Sequence, residues 1–223
     1  KCRDVAIRLI GGERNLVEGC FLTENLSGGI IVEDSSRNTI GGTTPGARNV
    51  IAANTGDAIQ IRSSGAFDNR VLGNFIGAGL NAAAAANSGD GVAISAATGS
   101  QIGGVGAGEA NLIAFNFGAG VQVDIGLLNM IRGNSIFSNT GLGIDLGFFG
   151  ITANDAGDAD AGANQLQNFP VLTSATVATD GTRVQGTLNS EASKPFTLDV
   201  YHSTACDPRG NGEGQRWLGA AVV

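Results

Sequence analysis

A short pattern of apolar and polar positions recurs along most of the chain. Gly or Ala is followed by Ile or Val, then by a variable residue, then by a second apolar residue. This pattern occupies residues 29–32, 58–61, 91–94, 120–123 and 143–146. Because alternate residues of a strand face opposite sides of a sheet, the alternation predicts short β-strands that bury one face.

Asparagine recurs at three fixed places relative to these strands. One column lies five residues before the first apolar position and contains Asn25, Asn54, Asn87, Asn116 and Asn139. Two further columns contain Cys20, Asn49, Asn74, Asn111 and Asn134, and Asn15, Asn38, Asn69, Ser100 and Asn129. Asn tolerates the left-handed backbone of a sharp corner, and its amide can hydrogen-bond to the same amide in a neighbouring copy. We therefore expect Asn at the corners of a repeated unit.

The basic repeat covers 23 residues from Asn15 to Asn38, and three later copies are lengthened by insertions. Each copy predicts three short strands, which favours an all-β fold: a parallel β-helix of about five three-strand coils over residues 1–147. A single coil cannot bury its inner face, so stacked coils must supply the core. Strand and turn spacing alone would also allow a β-sandwich, but three aligned Asn columns favour the β-helix. A leucine-rich repeat would need Leu columns that the chain lacks.

The repeat ends at Gly147, and two further regions follow. Residues 148–170 form an acidic junction or capping loop, and residues 171–223 predict a partial β-sandwich. The four strands expected in the sandwich are Val171–Ala178, 183–188, 196–201 and 217–223, with a hairpin turn at Asp180 and Gly181. The last strand would be a hydrophobic edge unless something pairs with it.

Several short motifs accompany the repeat. They are GLGIDLG at 141–147, NDAGDAD at 154–160, LQNFPVL at 166–172, CDP at 206–208 and GEGQ at 212–215. Together with the repeat, they resemble the secreted bacterial right-handed parallel β-helix repeat proteins in which an immunoglobulin-like module follows the β-helix. The resemblance implies a right-handed winding, an immunoglobulin-like fold for the partial sandwich, and an extracellular or cell-surface location. It implies location and architecture better than activity.

Composition excludes several classes of protein. Gly contributes 36 of the 223 residues, charged residues are 15%, and the formal net charge is −7. A chain with this much Ile, Val and Leu is not disordered, and its Gly lacks the three-residue period of collagen. The acidic balance argues against a nucleic-acid partner. No apolar run reaches the ~18 residues of a membrane helix, so membrane insertion is not expected.

Cysteine usage and the start of the chain add two expectations. Cys2, Cys20 and Cys206 are odd in number and far apart, which does not indicate a disulfide framework and leaves room for at most one bridge. The chain starts at Lys1 with neither an initiator Met nor a signal peptide. We therefore expect it to be a segment of a longer protein.

The acidic junction offers candidate metal ligands. Asp155, Asp158, Asp160 and Asn164 are interspersed with Gly and Ala, and calcium takes about six to eight oxygen ligands from tightly curved backbone. No bidentate Glu follows at the position that an EF-hand requires. A polar loop that caps the last coil, with Asp and Asn forming turns, explains the same residues. Calcium binding and capping stay open as alternatives.

One face of the repeat carries candidate catalytic residues. Many parallel β-helix proteins degrade acidic polysaccharides, and such chemistry needs paired carboxylates with a suitable acid or base. Asp57 and Asp90 align on neighbouring coils, and Arg62 lies in the same region. The two carboxylates could share a cation, or one could raise the pKa of the other. Against catalysis, the single histidine, His202, and both lysines lie outside the repeat core. Solvated turn residues are the simpler explanation.

These observations favour a non-catalytic extracellular scaffold or adhesion module of a larger protein, with a polysaccharide or another surface protein as its partner. One alternative is a polysaccharide lyase or glycoside hydrolase, with a site on the face that carries Asp57, Asp90 and Arg62. A second alternative is a structural unit that self-associates through open coil ends, because an open coil exposes strand edges. Calcium is the one candidate cofactor.

Overall fold

The structure is a computed structural model that describes residues 1–148, 150–208 and 210–223. The strands are β1 Val5–Ile10, β2 Leu16–Val17, β3 Phe21–Thr23, β4 Gly28–Glu33, β5 Thr39–Gly41, β6 Val50–Ala52, β7 Ile59–Arg62, β8 Arg70–Leu72, β9 Phe75–Ile76, β10 Val92–Ser95, β11 Gln101–Gly103, β12 Leu112–Ala114, β13 Val121–Ile125, β14 Met130–Arg132, β15 Ser135–Phe137, β16 Ile144–Leu146, β17 Val171–Ala178, β18 Gly181–Thr187, β19 Thr197–His202 and β20 Arg216–Val222. A short 3₁₀ helix lies at Pro45–Ala47, and residues 163–166 form a turn with left-handed backbone.

Strands β1 to β16 form three parallel sheets. The first sheet has the order β1-β4-β7-β10-β13-β16, the second β2-β5-β8-β11-β14, and the third β3-β6-β9-β12-β15. Strands three apart in sequence are therefore neighbours in space, so the chain visits each sheet once per coil. This arrangement is that of a parallel β-helix and confirms the predicted all-β fold of stacked three-strand coils.

Columns of Ile and Val fill the interior of the β-helix. In the first sheet, one column consists of four residues in register: Ile30, Ile59, Val92 and Val121. The other two sheets contribute Ile40, Val71 and Ile102, and Ile51, Ile76 and Ile113. All ten are at most 1% exposed. Burying one such side chain contributes roughly 1.5–3 kcal/mol, so the stacked columns are the main source of stability.

The three predicted Asn columns are ladders of hydrogen-bonded amides at the coil corners, and each is named here by its first repeat member: the Asn15, Cys20 and Asn25 ladders. In the Asn25 ladder, Asn25 Nδ2 donates to Asn54 Oδ1 at 2.8 Å, and Asn54 Nδ2 donates to Asn87 Oδ1 at 2.9 Å. Asn54 Oδ1 also accepts the backbone N–H of Asn25 at 3.0 Å. Asn54 Nδ2 donates in addition to the Leu22 carbonyl at 3.0 Å. Each amide therefore pairs several buried polar groups at once.

The left-handed backbone at the corners belongs to the residue before the ladder position. In the Asn25 ladder, these residues are Glu24 (φ 59°), Ala53 (55°), Phe115 (66°) and Ser138 (57°). In the Asn15 ladder they are Arg14, Arg37, Asp68, Gly99 and Leu128. The expectation that the repeat Asn itself adopts this conformation is wrong. The Asn backbone already leads into the next strand, so the sharp turn is made one residue earlier.

The residues after 170 form two antiparallel hairpins, β17 with β18 and β19 with β20. No sheet joins the two hairpins within the described residues, and the structure does not show the immunoglobulin-like module. The β19–β20 hairpin lies against the last coils. Asp199 accepts two hydrogen bonds from Arg132, at 2.6 and 2.7 Å, and the Tyr201 hydroxyl accepts the backbone N–H of Gly133 at 2.8 Å.

Residues that follow the repeat contact the last coil, although open coil ends were expected from the sequence. Asn139, at the end of the Asn25 ladder, donates its backbone N–H and its Nδ2 to Glu213 Oε1, at 3.3 and 3.2 Å. The Asn15 ladder ends on Asn164, whose Oδ1 accepts the backbone N–H of Asn129 at 3.0 Å. Glu213 and Asn164 thus supply the acceptors that a further coil would have supplied.

Asn74→Ala tests the contribution of one ladder amide. Asn74 is fully buried; its Oδ1 accepts from the backbone N–H and Nδ2 of Asn49, and its Nδ2 donates to Asn111 Oδ1 and the Ile40 carbonyl. The substitution removes all four of these hydrogen bonds. We expect the free energy of unfolding to fall by about 3–5 kcal/mol, measured by urea denaturation followed by circular dichroism.

Asn81→Ala is the matched control, because Asn81 is exposed and accepts a hydrogen bond from Ala83 within a loop. It should change the free energy of unfolding by less than about 0.5 kcal/mol. Equal losses in the two variants would contradict the stabilising role of the ladder.

Candidate functional site

Asp57 and Asp90 lie in the turns that lead into β7 and β10, on neighbouring coils. Asp57 Oδ1 accepts the backbone N–H of Asp90 at 2.7 Å, and its Oδ2 accepts Gln60 Nε2 at 2.8 Å. Asp90 Oδ1 accepts the backbone N–H of Ala119, in the following coil, at 2.6 Å. Each carboxylate therefore links its own coil to the next. We call this pair the aspartate column.

Arg62, the third candidate catalytic residue, lies at the end of β7 and pairs with the preceding coil. Its Nη2 donates to Glu33 Oε2 at 2.8 Å. Its Nη1 lies 3.5 Å from Gln60 Oε1, and Gln60 in turn donates to Asp57. Arg62 is therefore connected to the aspartate column through an amide side chain, while its ion pair is with Glu33.

Burial raises the pKa of Asp90 from its ordinary value of 3.8 to about 6. The hydrogen bond from Ala119 opposes this rise, and the negative charges of Asp57, Asp124 and Asp145 add to it. Burial likewise raises the pKa of Asp124 and of Asp145. The aspartate column thus belongs to a group of four carboxylates beside the first sheet, in which the negative charges of Asp57, Asp124 and Asp145 all act on Asp90.

Two members of this group, Asp124 and Asp145, were not among the candidate site residues predicted from the sequence. Strand alternation places both on the outer face of the first sheet, which favours solvent exposure. In the structure both are only partly exposed, and Asp145 Oδ1 is buried with no hydrogen-bond partner in the described part of the chain. The repeat pattern contained a signal for their proximity. It aligns Asp145 with Gln122, two residues before Asp124, and the structure has this register.

The aspartate column has one feature of an acid–base site and one of a structural element. A carboxyl group with a pKa of about 6 beside a second carboxylate can act as a general acid near neutral pH. However, Asp57 and Asp90 both accept backbone N–H groups of the next coil. The single histidine, His202, lies on β19 in the C-terminal hairpin, outside the β-helix.

The acidic junction brings together three of the four candidate metal ligands. One carboxylate oxygen from each of Asp155, Asp158 and Asp160 lies within 4.8 Å of the others. The fourth candidate, Asn164, instead uses both amide atoms to hydrogen-bond with Asn129 at the end of the Asn15 ladder. The three carboxylates are oxygen donors of the kind that calcium prefers, so they could hold such a cation.

Asn168 organises the same loop without a metal. It is 4% exposed, and its backbone N–H donates to Asp158 Oδ1 at 2.8 Å. Its Nδ2 donates to the carbonyls of Asp155, at 2.9 Å, and Asn189, at 2.7 Å. Ser190 Oγ donates to the second oxygen of Asp158. Protein donors therefore already pair with Asp158, which favours a capping loop over a metal site.

Comparison of the chain with protein-family models, with curated proteins and with solved structures finds no match. In the part of the chain that the structure describes, no helix has the length and apolar character needed to cross a membrane. Cys2, Cys20 and Cys206 are free thiols. What the chain does must therefore be inferred from the geometry of its sites.

Asp90→Asn tests the electrostatic cost of the aspartate column. The new amide oxygen can still accept the Ala119 N–H, while the buried charge is removed. Because the folded pKa is raised, the ionised carboxylate destabilises the fold; this cost is complete above pH about 6 and vanishes below the ordinary value of 3.8. We expect the variant to be about 1–2 kcal/mol more stable than the wild type at neutral pH, allowing for partial exposure, and equally stable at acidic pH.

Urea denaturation over a series of pH values measures this difference. Asp180→Asn, in the exposed turn between β17 and β18, changes the net charge equally and should show no such gain. If Asp90→Asn were less stable than the wild type at neutral pH, the carboxylate would be a net stabiliser and the assigned cost would be wrong.

A chelator separates the two interpretations of the acidic junction. Since protein donors already pair with Asp155 and Asp158, we expect neither calcium nor a chelator to change the melting temperature. Asn168→Ala should lower the free energy of unfolding by about 1–3 kcal/mol, because it removes the side-chain hydrogen bonds of Asn168 with the backbone of Asp155 and Asn189. Calcium found by elemental analysis, with a melting temperature that falls on chelation, would instead establish a metal site.

Proposed function

We propose that this chain is a non-catalytic β-helix scaffold module of a larger secreted or surface protein, with adhesion to a polysaccharide or another surface protein as its role. One observation carries the proposal: the candidate catalytic carboxylates hold the coils together. Asp57 and Asp90 accept backbone N–H groups of the next coil at 2.7 and 2.6 Å. Carboxylates committed in this way are part of the framework that keeps the coils in register.

The outer face of the first sheet supports a role in adhesion. Gln60, Ala93, Gln122 and Asp145 follow one another in register on β7, β10, β13 and β16. The amide and carboxylate groups in this row are planar donors and acceptors, which suit the hydroxyl groups of a sugar chain. This row is the surface on which we place polysaccharide contact.

The finer architecture and the location belong to the same proposal. Right-handed winding is supported by the strong preference of parallel strands for right-handed connections. The immunoglobulin-like module is supported by the two hairpins that follow the β-helix, which supply four of the strands such a module needs. An extracellular or cell-surface location is supported by the resemblance carried by the repeat and the motifs that follow it.

A polysaccharide lyase or glycoside hydrolase is the second candidate, and one observation favours it. Burial raises the pKa of Asp90 to about 6, which suits a general acid near neutral pH. Asp57 would be the second carboxylate, and Arg62 would act through Gln60. Self-assembly through open coil ends has less support, because Glu213 covers the last member of the Asn25 ladder.

One panel of polysaccharides separates adhesion from catalysis. The chain is incubated with acidic and neutral polysaccharides in the presence of calcium, and unsaturated products and new reducing ends are recorded. We expect no turnover, together with retention of the chain on an immobilised polysaccharide. The double substitution Gln60→Ala, Gln122→Ala should weaken this retention about tenfold, whereas Gln185→Ala on the exposed β18 should not.

Turnover that disappears in the double variant Asp57→Asn, Asp90→Asn would overturn the scaffold proposal and establish the second candidate. If the chain neither degrades any polysaccharide of the panel nor is retained on one, a carbohydrate is not its partner. Affinity capture with other surface proteins would then test the remaining part of the proposal.

A further inference from the structure

A cavity lies beside the last coils of the β-helix. It opens between the ends of β13 and β16 on one side and the segments 147–148 and 150–166 on the other, with a volume of about 870 Å³. Sites for small molecules enclose about 300–1,000 Å³, so this cavity is large enough for one.

Apolar side chains form most of the cavity wall. The large ones are Ile125, Leu127, Leu146, Phe148, Ile151 and Leu166. Four of these side chains are 46–60% exposed: Ile125, Leu127, Phe148 and Ile151. A mostly apolar wall suits the apolar body of a small ligand.

Two carboxylates interrupt this apolar wall: Asp124 from β13 and Asp160 from the acidic junction. Asp160 Oδ1 is buried and accepts no hydrogen bond from the described residues. The lining residues that the structure describes include no Lys, Arg or His. Carboxylates in a wall that has no cationic side chain favour a ligand that carries a positive charge.

The wall opposite the sheet is held in place before any ligand arrives. The N–H of Asn164 donates to the Gly126 carbonyl at 2.7 Å, and the N–H of Gly147 donates to the Val123 carbonyl at 2.8 Å. Asn164, Gln165 and Leu166 are consecutive residues with left-handed φ of 45°, 61° and 49°. Residues other than Gly adopt this conformation at a cost, which the fold bears here while keeping the cavity open.

We propose that this cavity binds a small amphiphilic amine, a molecule with an apolar body and a cationic ammonium group. The apolar side chains would cover the body of the ligand, and the ammonium group would donate to Asp160 and Asp124. A hydrogen bond between two charged groups is roughly twice as strong as one between neutral groups, so a cation is preferred over a neutral analogue. The same carboxylates repel an anion.

Three probes of nearly equal shape test the charge preference: phenethylamine, phenethyl alcohol and hydrocinnamate. Proton–nitrogen correlation spectra of the full chain are recorded during titration with each probe. We expect phenethylamine to shift the amide signals of Gly126, Gly147 and Gly162, which line the cavity, with saturation. The alcohol should bind about tenfold more weakly, and hydrocinnamate more weakly still.

Variants then test the residues. Asp160→Asn and Asp124→Asn should each weaken phenethylamine binding about tenfold and leave the alcohol unchanged. Asp180→Asn alters the net charge equally in an exposed turn and should have no effect. Ile151→Trp places a larger, still apolar side chain in the cavity wall and should weaken the binding of both probes. If a carboxylate variant loses the native circular dichroism spectrum, this variant tests binding at the cavity in its place.

The proposal is overturned if phenethylamine gives no saturable shift at these glycines. It is overturned equally if the three probes bind with the same affinity, or if Asp160→Asn folds and binds the amine as the wild type does. Because none of these measurements involves polysaccharide, their failure leaves the scaffold proposal unaffected, and the reverse also holds.

Discussion

Each coil of this β-helix relies on its neighbour to pair the polar groups buried at its corners. An Asn amide in such a corner is costly unless its donor and acceptor both find partners, and the next coil supplies them. Stacking therefore satisfies hydrogen bonds as well as burying Ile and Val. Ser100 shows how the two contributions divide: it replaces Asn between Asn69 and Asn129, and its Oγ is buried without a partner in the described structure. The apolar columns continue past this gap, so the core carries the fold where one ladder is interrupted.

The periodic part of the structure could be predicted because one unit recurs, so every column is observed several times. Features that occur only once could not be predicted in this way. Glu213 closes the Asn25 ladder from 74 residues beyond Asn139, and no spacing rule connects them. Alignment of the repeat copies within the chain predicted that Asp57 and Asp90 are neighbours. The burial that raises the pKa of Asp90 depends on packing, which the repeat pattern does not specify. The same holds for the cavity that Asp160 lines, because residues 160–166 form its wall against β13 only in the folded chain.

The aspartate column and the Asn ladders use the same geometry with opposite electrostatic consequences. An amide both donates and accepts, so each new Asn strengthens the row it joins. A carboxylate can only accept, so each new Asp adds an inter-coil hydrogen bond and a repulsion. Two successive coils carry Asp in this column, and the third has Ala119, which supplies only its backbone N–H. Burial of Asp90 and the nearby charges of Asp57, Asp124 and Asp145 together raise the pKa of this carboxyl group.

The ladders fix the position of each coil without fixing its length. Successive ladder partners are separated by 23, 25, 29, 31, 33 or 37 residues, yet their amide contacts all lie between 2.8 and 3.0 Å. The extra residues leave the coil at a corner and return to the same point. The stack therefore behaves as a molecular ruler with divisions of about 4.8 Å, along which peptide segments of unrelated sequence and size can be displayed at set intervals.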